Sequence, residues 1–376
     1  MPKLLIISET IRRDLHAPLR LFTKFEIIHL YRNASYGDMK KEDFENPKAV
    51  QFNSIFDLYR QLVKYQPTHL QVPDPCANKT SFLGALVCLW YWQKYRPIIV
   101  VPFFENKPYK LKFNTIKYFL VKHATRALEK RASALFVLNK GAQKNLESLG
   151  INNKKFSRLM WASWGIDLNE FKSIPQSVKS EKACPERQLN GLKVKSGWKN
   201  ILFLGRISKA KGIPQLLKMF ELVKKEIKDA KLIIAGPAGD ASHLIPKTCT
   251  SYVQVFGIIK NVDVPQYFRS GKVTIMPSQS TKEWEEQVGM VGLQSMACGT
   301  PIITTTSGAI PEYFKNNEGA FLFAENDCQG MAKICIKLLS DQNFHQDQSQ
   351  KGRKYIADNY EVKNNIKKIE EFLLKQ

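Results

Sequence analysis

Glycine is missing from the start of this chain: the first is Gly37, so the turn after the first apolar run reads Ser8-Glu9-Thr10-Ile11-Arg12-Arg13. A GxGxxG fingerprint is therefore absent there, and no GxxxxGK[ST] loop occurs anywhere, which excludes dinucleotide-binding and P-loop chemistry. The seven cysteines, Cys76, Cys88, Cys184, Cys249, Cys298, Cys328 and Cys335, never form a CxxC pair. Neither a disulfide framework nor a structural zinc site is expected. Long hydrophobic runs are also lacking. The longest uncharged one, residues 81–92 (SFLGALVCLWYW), has 12 residues, and a bilayer span needs about 20. Met1-Pro2-Lys3 followed by Leu4-Leu5-Ile6-Ile7 carries no cleavage pattern and reads as a buried strand, so export is not expected and a reducing cytoplasm fits. Finally, acid is scarce: 34 Asp and Glu stand against 57 Lys and Arg, a net charge of +23. Such an excess calls for an anionic partner, whether nucleic acid, phospholipid or a phosphorylated small molecule.

What is present is ample for two domains: 376 residues, 44% of them apolar. Short apolar runs alternate with stretches of helical period, the pattern of a parallel α/β sheet. Strands are expected at 4–8, 27–30, 69–72, 98–102 and 134–138, with helices at 55–65, 81–95, 116–132 and 141–149. A second series of strands follows at 200–205, 232–235, 253–256, 273–276, 302–304 and 320–323. The domain boundaries drawn from this are 1–167 and 199–358, with 168–198, rich in Lys, Ser and Pro, as linker. Residues 362–374 place Ile366, Ile369, Phe372 and Leu373 on one helical face, so 359–376 is expected to pack back on the body.

Two segments can carry chemistry. In the first, residues 284–314 (WEEQVGMVGLQSMACGTPIITTTSGAIPEYF), an acidic loop follows the strand ending at Met276-Pro277-Ser278, and Gly289 precedes an apolar helix. The amides at that helix start could meet an anion, although a plain crossover with a solvated acidic pair would read similarly. In the second, Phe203-Leu204-Gly205-Arg206-Ile207-Ser208-Lys209-Ala210-Lys211-Gly212, two cations follow a buried strand directly. Both lie at the carboxyl edge of the sheet, where open α/β sheets bind ligands, and a guanidinium with an ammonium suits a diphosphate. For either cation alone, an exposed basic turn is the alternative.

Together these segments, with Ala235-Gly236-Pro237, Phe256-Gly257 and Ser307-Gly308-Ala309-Ile310-Pro311-Glu312, resemble the retaining glycosyltransferases of family 4. The resemblance covers residues 201–339. It is looser at Arg131-Ala132-Ser133-Ala134-Leu135-Phe136-Val137-Leu138 and at Trp164-Gly165-Ile166-Asp167 through Phe171. It implies an α/β GT-B fold, two Rossmann-like doubly wound domains facing across a cleft, with a nucleotide-sugar (UDP- or GDP-sugar) held by the C-terminal one. Arg206 and Lys211 would take the diphosphate and Glu286 the sugar hydroxyls. The amides of Gly289, Met290 and Val291 would line sugar and phosphate, Gly205 would lie beside them, and Gly257-Ile258 would meet the base. Front-face attack with retention needs no nucleophile and no metal. Two departures stand out. Where the family has a second glutamate that binds the ribose diol, this chain has Gln294, which keeps one acceptor oxygen and loses the charge. On the acceptor side, Arg12-Arg13 and Phe103-Phe104-Glu105-Asn106 replace the usual Gly-rich loop and histidine. Glu105 is then the candidate to orient an acceptor hydroxyl, and Arg12, Arg13 or His16 to meet phosphate.

Between residues 100 and 131 eight Lys and Arg face two acids, with Phe103, Phe104, Tyr109, Phe113, Tyr118 and Phe119 interleaved. This mixture suits an anionic membrane surface presenting a lipid-linked or glycan acceptor, which would make the protein peripheral on the inner face. A solvated helix with its aromatics turned to the core is the alternative. His123, within the same stretch, is expected at the surface. Nucleic-acid binding fits less well, because no reading module is present and the cations spread over both halves. A donor-binding but degenerate protein, suggested by Gln294, and a GT-B epimerase or sugar-phosphate synthase are the remaining readings.

Overall fold

The computed structural model describes residues 1–34, 39, 41–161, 164–173, 187–189, 192–194, 199–245 and 251–376. They divide into two compact units, Met1–Gly165 with Val362–Gln376, and Ile166–Glu361. The first holds a seven-stranded parallel sheet: β1 (Lys3–Ile11), β2 (Glu26–Ala34), β3 (Lys48–Gln51), β4 (His69–Gln71), β5 (Ile98–Phe103), β6 (Ala132–Val137) and β7 (Phe156–Ser157), in the spatial order β3-β2-β1-β4-β5-β6-β7. In register, Leu4 stands between Ile27 and His69. β3 and β7 were not expected: β3 has intermediate or exposed side chains and β7 has two residues, so neither shows as a buried apolar run.

Alternation along the strands divides the core in two. Leu5, Ile7, Ile99, Val101 and Leu135 pack under the helices Ile55–Tyr65, Lys79–Tyr95 and Thr115–Arg131. Leu4, Ile6, Val100 and Phe136 pack on the other face with Phe25, Trp161 and the helix Val362–Leu373. That helix buries Val362, Ile366, Ile369 and Leu373, while Phe372 is half-buried. Its buried Glu370 accepts hydrogen bonds from the backbone amides of Thr23 (2.7 Å) and Lys24 (2.6 Å), which fastens the C-terminal segment to the turn before β2.

His16, a sequence candidate for phosphate, is instead completely buried. Its Nδ1 lies 2.8 Å from His29 Nδ1, its Nε2 2.7 Å from the Asp43 carbonyl, and His29 Nε2 2.8 Å from Ser8 Oγ. With both rings neutral, the carbonyl requires N–H at His16 Nε2; His29 Nδ1 then donates to His16, and His29 Nε2 accepts from Ser8. Burial pushes the imidazoles of both residues down, and the neighbouring His16 adds to the shift of His29, which falls to about 3. The unfolded state therefore binds more protons than the folded state below about pH 6.5, and stability falls as pH drops toward 3. His29 alone should cost about 2 kcal/mol at pH 5, with His16 adding to it. Denaturant titrations at pH 7.5 and 5 measure this, and His29→Asn should flatten the difference. Equal stability at the two pH values would refute the buried neutral pair.

The second unit holds β10 (Asn200–Leu204), β11 (Lys231–Ala235), β12 (Val253–Phe256), β13 (Val273–Met276), β14 (Ile302–Thr305) and β15 (Ala320–Phe323), parallel and in the order β12-β11-β10-β13-β14-β15. A short antiparallel pair, β8 (Arg187–Leu189) and β9 (Leu192–Val194), precedes them within the stretch read as linker. Most of the rest of that stretch lies outside the described residues. In both units the strand order runs outward in opposite directions from one point, between β1 and β4 and between β10 and β13. Crossovers leave to opposite faces there and open a crevice at the carboxyl ends.

Candidate active site

The crevice between β10 and β13 collects the two chemically suggestive segments. Gly205 and Arg206 leave β10, and Pro277 and Ser278 leave β13. The turn after Arg206 is fixed by Gly212, which precedes the helix Ile213–Glu226 with φ of 77°. A Cβ built there would sit 1.8 Å from the Pro277 carbonyl oxygen. Only glycine admits this close approach, which sets the loop carrying Lys211 against the end of β13.

Lys211 Nζ lies 2.7 Å from Glu286 Oε2 and 4.5 Å from the centroid of Trp284. Ser278 Oγ donates to the same carboxylate oxygen at 3.0 Å. Glu286 is buried, and its carbonyl accepts from the Ala309 amide at 2.8 Å. The loop after β14, quoted in the sequence as Ser307-Gly308-Ala309, thus supports the backbone that aims the glutamate. Arg206 is exposed, and no acid pairs with it among the described residues.

Gly289, with φ of 84°, opens the helix Met290–Ala297, and no side chain caps this end. The first-turn amides of Gly289, Met290 and Val291 are therefore presented for an anion. Gln294 sits one turn further on, partly exposed. Gly257 and Ile258 are both exposed just beyond β12. The structure thus brings Arg206, Lys211, Glu286 and the Gly289 turn to one crevice. Ser278 and Trp284, given no role from sequence, also belong to it; the signal for Ser278 was its place at a strand end.

The first unit's candidates are arranged differently. Arg12 pairs with Asp14, Nε donating to Oδ1 at 3.0 Å, and Arg13 Nε lies 3.5 Å from Asp43. Glu105 is held by Lys112 at 2.6 Å and by the Lys107 amide at 3.0 Å. Each of these side chains is therefore engaged within its own unit. Asp74, in the loop after β4, was missed by sequence reasoning, although Pro73-Asp74-Pro75 marks a strand end. It is buried, accepts from the Cys76 amide at 2.7 Å, and burial raises its carboxyl to about 7.

Residues 186–355 match the family model described as Glycosyl transferases group 1, and the two parallel α/β sheets have the GT-B fold of the solved structures given below. Among relatives, N-acetyl-alpha-D-glucosaminyl L-malate synthase of Bacillus anthracis is 23% identical over 174 residues, 46% of this chain and 44% of the relative. D-inositol 3-phosphate glycosyltransferase of Arthrobacter sp. (strain FB24) is 30% identical over 197 residues, 50% and 44%. The aligned stretch is thus less than half of each relative. Solved structures match over the whole chain: Anabaena Alr3699/HepE in complex with UDP superposes with a TM-score of 0.74 at 15% identity, covering 100% of both chains. Sucrose-phosphate synthase from Thermosynechococcus elongatus gives 0.70 at 13%, covering 100% and 99%.

Proposed function

We propose that the protein is a retaining, metal-independent glycosyltransferase, moving a sugar from a UDP- or GDP-sugar to a hydroxyl of a lipid-linked or glycan acceptor at the cytoplasmic membrane surface. The observation that carries this is the Lys211–Glu286–Ser278 cluster beside the exposed Arg206 at the β10/β13 switch point. Arg206 and Lys211 would stabilise charge growing on the leaving diphosphate, and uncapped amides at Met290 and Val291 would add to it. Glu286, held on Lys211 and Ser278, would accept from sugar hydroxyls. Departure of the diphosphate then leaves its own oxygen to take the acceptor's proton on the same face, which preserves the anomeric configuration. That the HepE structures hold UDP, glucose or UDP-glucose supports a uridine nucleotide. No helix among the described residues is long and apolar enough to cross a membrane, so attachment would be peripheral.

A thermal-shift screen tests the donor reading, because ligand at about 100 times its Kd stabilises by about 2.7 kcal/mol. A shift with a UDP- or GDP-sugar is expected; silence from every nucleotide and nucleotide-sugar would defeat it. Gln294→Glu should tighten donor binding by about 5–30-fold, the equivalent of about 1–2 kcal/mol for a charged hydrogen bond to the ribose diol. Unchanged affinity would remove the ribose contact. Absence of transfer in both forms, with donor still bound, would favour the degenerate reading.

A further inference from the structure

The outward sides of the helices Ile55–Tyr65, Lys79–Tyr95 and Thr115–Arg131 form one surface. All three bury residues in the same core cluster on one face of the first sheet: Leu58 and Leu62, Ala85 and Cys88, Val121 and Leu128. The middle helix contacts both others, and Tyr59 stacks on Trp90 with ring centroids 4.1 Å apart. What these helices turn outward is apolar to an unusual degree. Phe56 is 75% exposed, Trp90 55%, Ile116 74% and Phe119 57%, with Leu120 and the neighbouring Leu111 also exposed. The same three helices carry nine Lys and Arg against two acids, Asp57 and Glu129. The stretch read from sequence as basic and aromatic is divided by the fold: Phe103, Tyr109 and Phe113 are buried, whereas Phe119 stays outside on the ring of His123, centroids 4.0 Å apart.

We infer that this three-helix face docks on an anionic lipid bilayer, with Phe56, Trp90, Ile116 and Phe119 entering the headgroup region and the lysines meeting lipid phosphate. The inference rests on the membrane-surface reading of the proposed function. Charge selects the occupant. A second copy of this face would set cations against cations, and a purely polyanionic ligand gives large exposed apolar side chains nothing to bury against. Only an anionic bilayer offers both a negative plane and an apolar layer beneath it.

The full-length protein is to be sedimented with vesicles of phosphatidylglycerol and phosphatidylcholine in equal parts, and with phosphatidylcholine alone. Binding is expected to the first, weakening as salt rises, and little to the second. Ile116→Ser with Phe119→Ser should reduce it by about tenfold or more, and so should Lys117→Glu with Lys122→Glu, both at unchanged melting temperature. Equal binding to both vesicle types, binding to neither, or insensitivity to the apolar pair overturns the inference. So does displacement by single-stranded RNA at full retention by the Ser variants, which would make the face a nucleic-acid site. A UDP- or GDP-sugar thermal shift on the same variants keeps the readings apart: vesicle binding lost with the shift retained indicts only the docking face.

Discussion

Replacing Arg206 by alanine should lower sugar transfer by about 10²–10³-fold, the scale of one electrostatic donor removed from a developing oxyanion. The side chain is exposed and no acid pairs with it among the described residues, so folding stability should stay within about 0.5 kcal/mol of the parent. Lys211→Ala should cause a similar loss of transfer, with a cost in stability as well. It would take from Glu286, a buried carboxylate, the lysine that faces it at 2.7 Å, and a buried charge that loses its ion-pair partner is expensive. The double variant Lys211→Met with Glu286→Gln separates the two roles. It removes both charges at similar volume, so it should recover stability while transfer remains lost. Recovery of transfer in the double variant, or normal turnover in Arg206→Ala, would show that these cations do not meet the diphosphate.

Gly212→Ala should destabilise the second unit by roughly 3 kcal/mol or more, the range reached when a special backbone conformation is overfilled. The reason is geometric: the new methyl carbon would lie 1.8 Å from the Pro277 carbonyl oxygen, a backbone atom, at a φ of 77°. Any relief must move the Lys211 loop away from the end of β13, so donor affinity should fall together with the melting temperature. Gly257→Ala is the matched control. Nothing lies within 4 Å of its added carbon and its φ is not in the left-handed range, so it should be near neutral for stability. A Gly212→Ala protein that melts like the parent and binds donor equally well would refute the tight packing of loop on strand.

Much of the fold was legible in the chain. The five inner strands of the first sheet and all six of the second lie in mostly apolar stretches, because a strand covered on both faces has few positions for solvated side chains. β12, β13 and β15 fall at the residues the pattern indicates, and so does the helix Ile55–Tyr65. The two edge strands, β3 and β7, escaped because their exposed positions and shortness erase that signal. In the second unit the apolar runs also marked where the loops that carry Arg206, Lys211 and Glu286 begin, after β10 and β13.

The alphabet of the first unit was more deceptive. Charges on Arg12, Arg13 and Glu105 read as available to a ligand, yet each finds a partner nearby, Asp14, Asp43 and Lys112. His16 read as a surface candidate and is buried against His29, because the turn after β1 folds back over β2. Composition likewise shows a basic, aromatic stretch but not which rings face out, since that depends on which side of each helix the sheet covers.

By itself, then, the sequence determined that two parallel α/β sheets form and that cations and a glutamate stand at the carboxyl edge of the second. Apolar runs and strand-end positions are local properties, written in neighbouring residues. Tertiary structure alone decided that Lys211 and Glu286, 75 positions apart, share one carboxylate oxygen with Ser278. It also decided that Phe56, Trp90, Ile116 and Phe119 lie on one surface. Both are juxtapositions across crossovers, fixed by strand order and close packing rather than by any nearby residue.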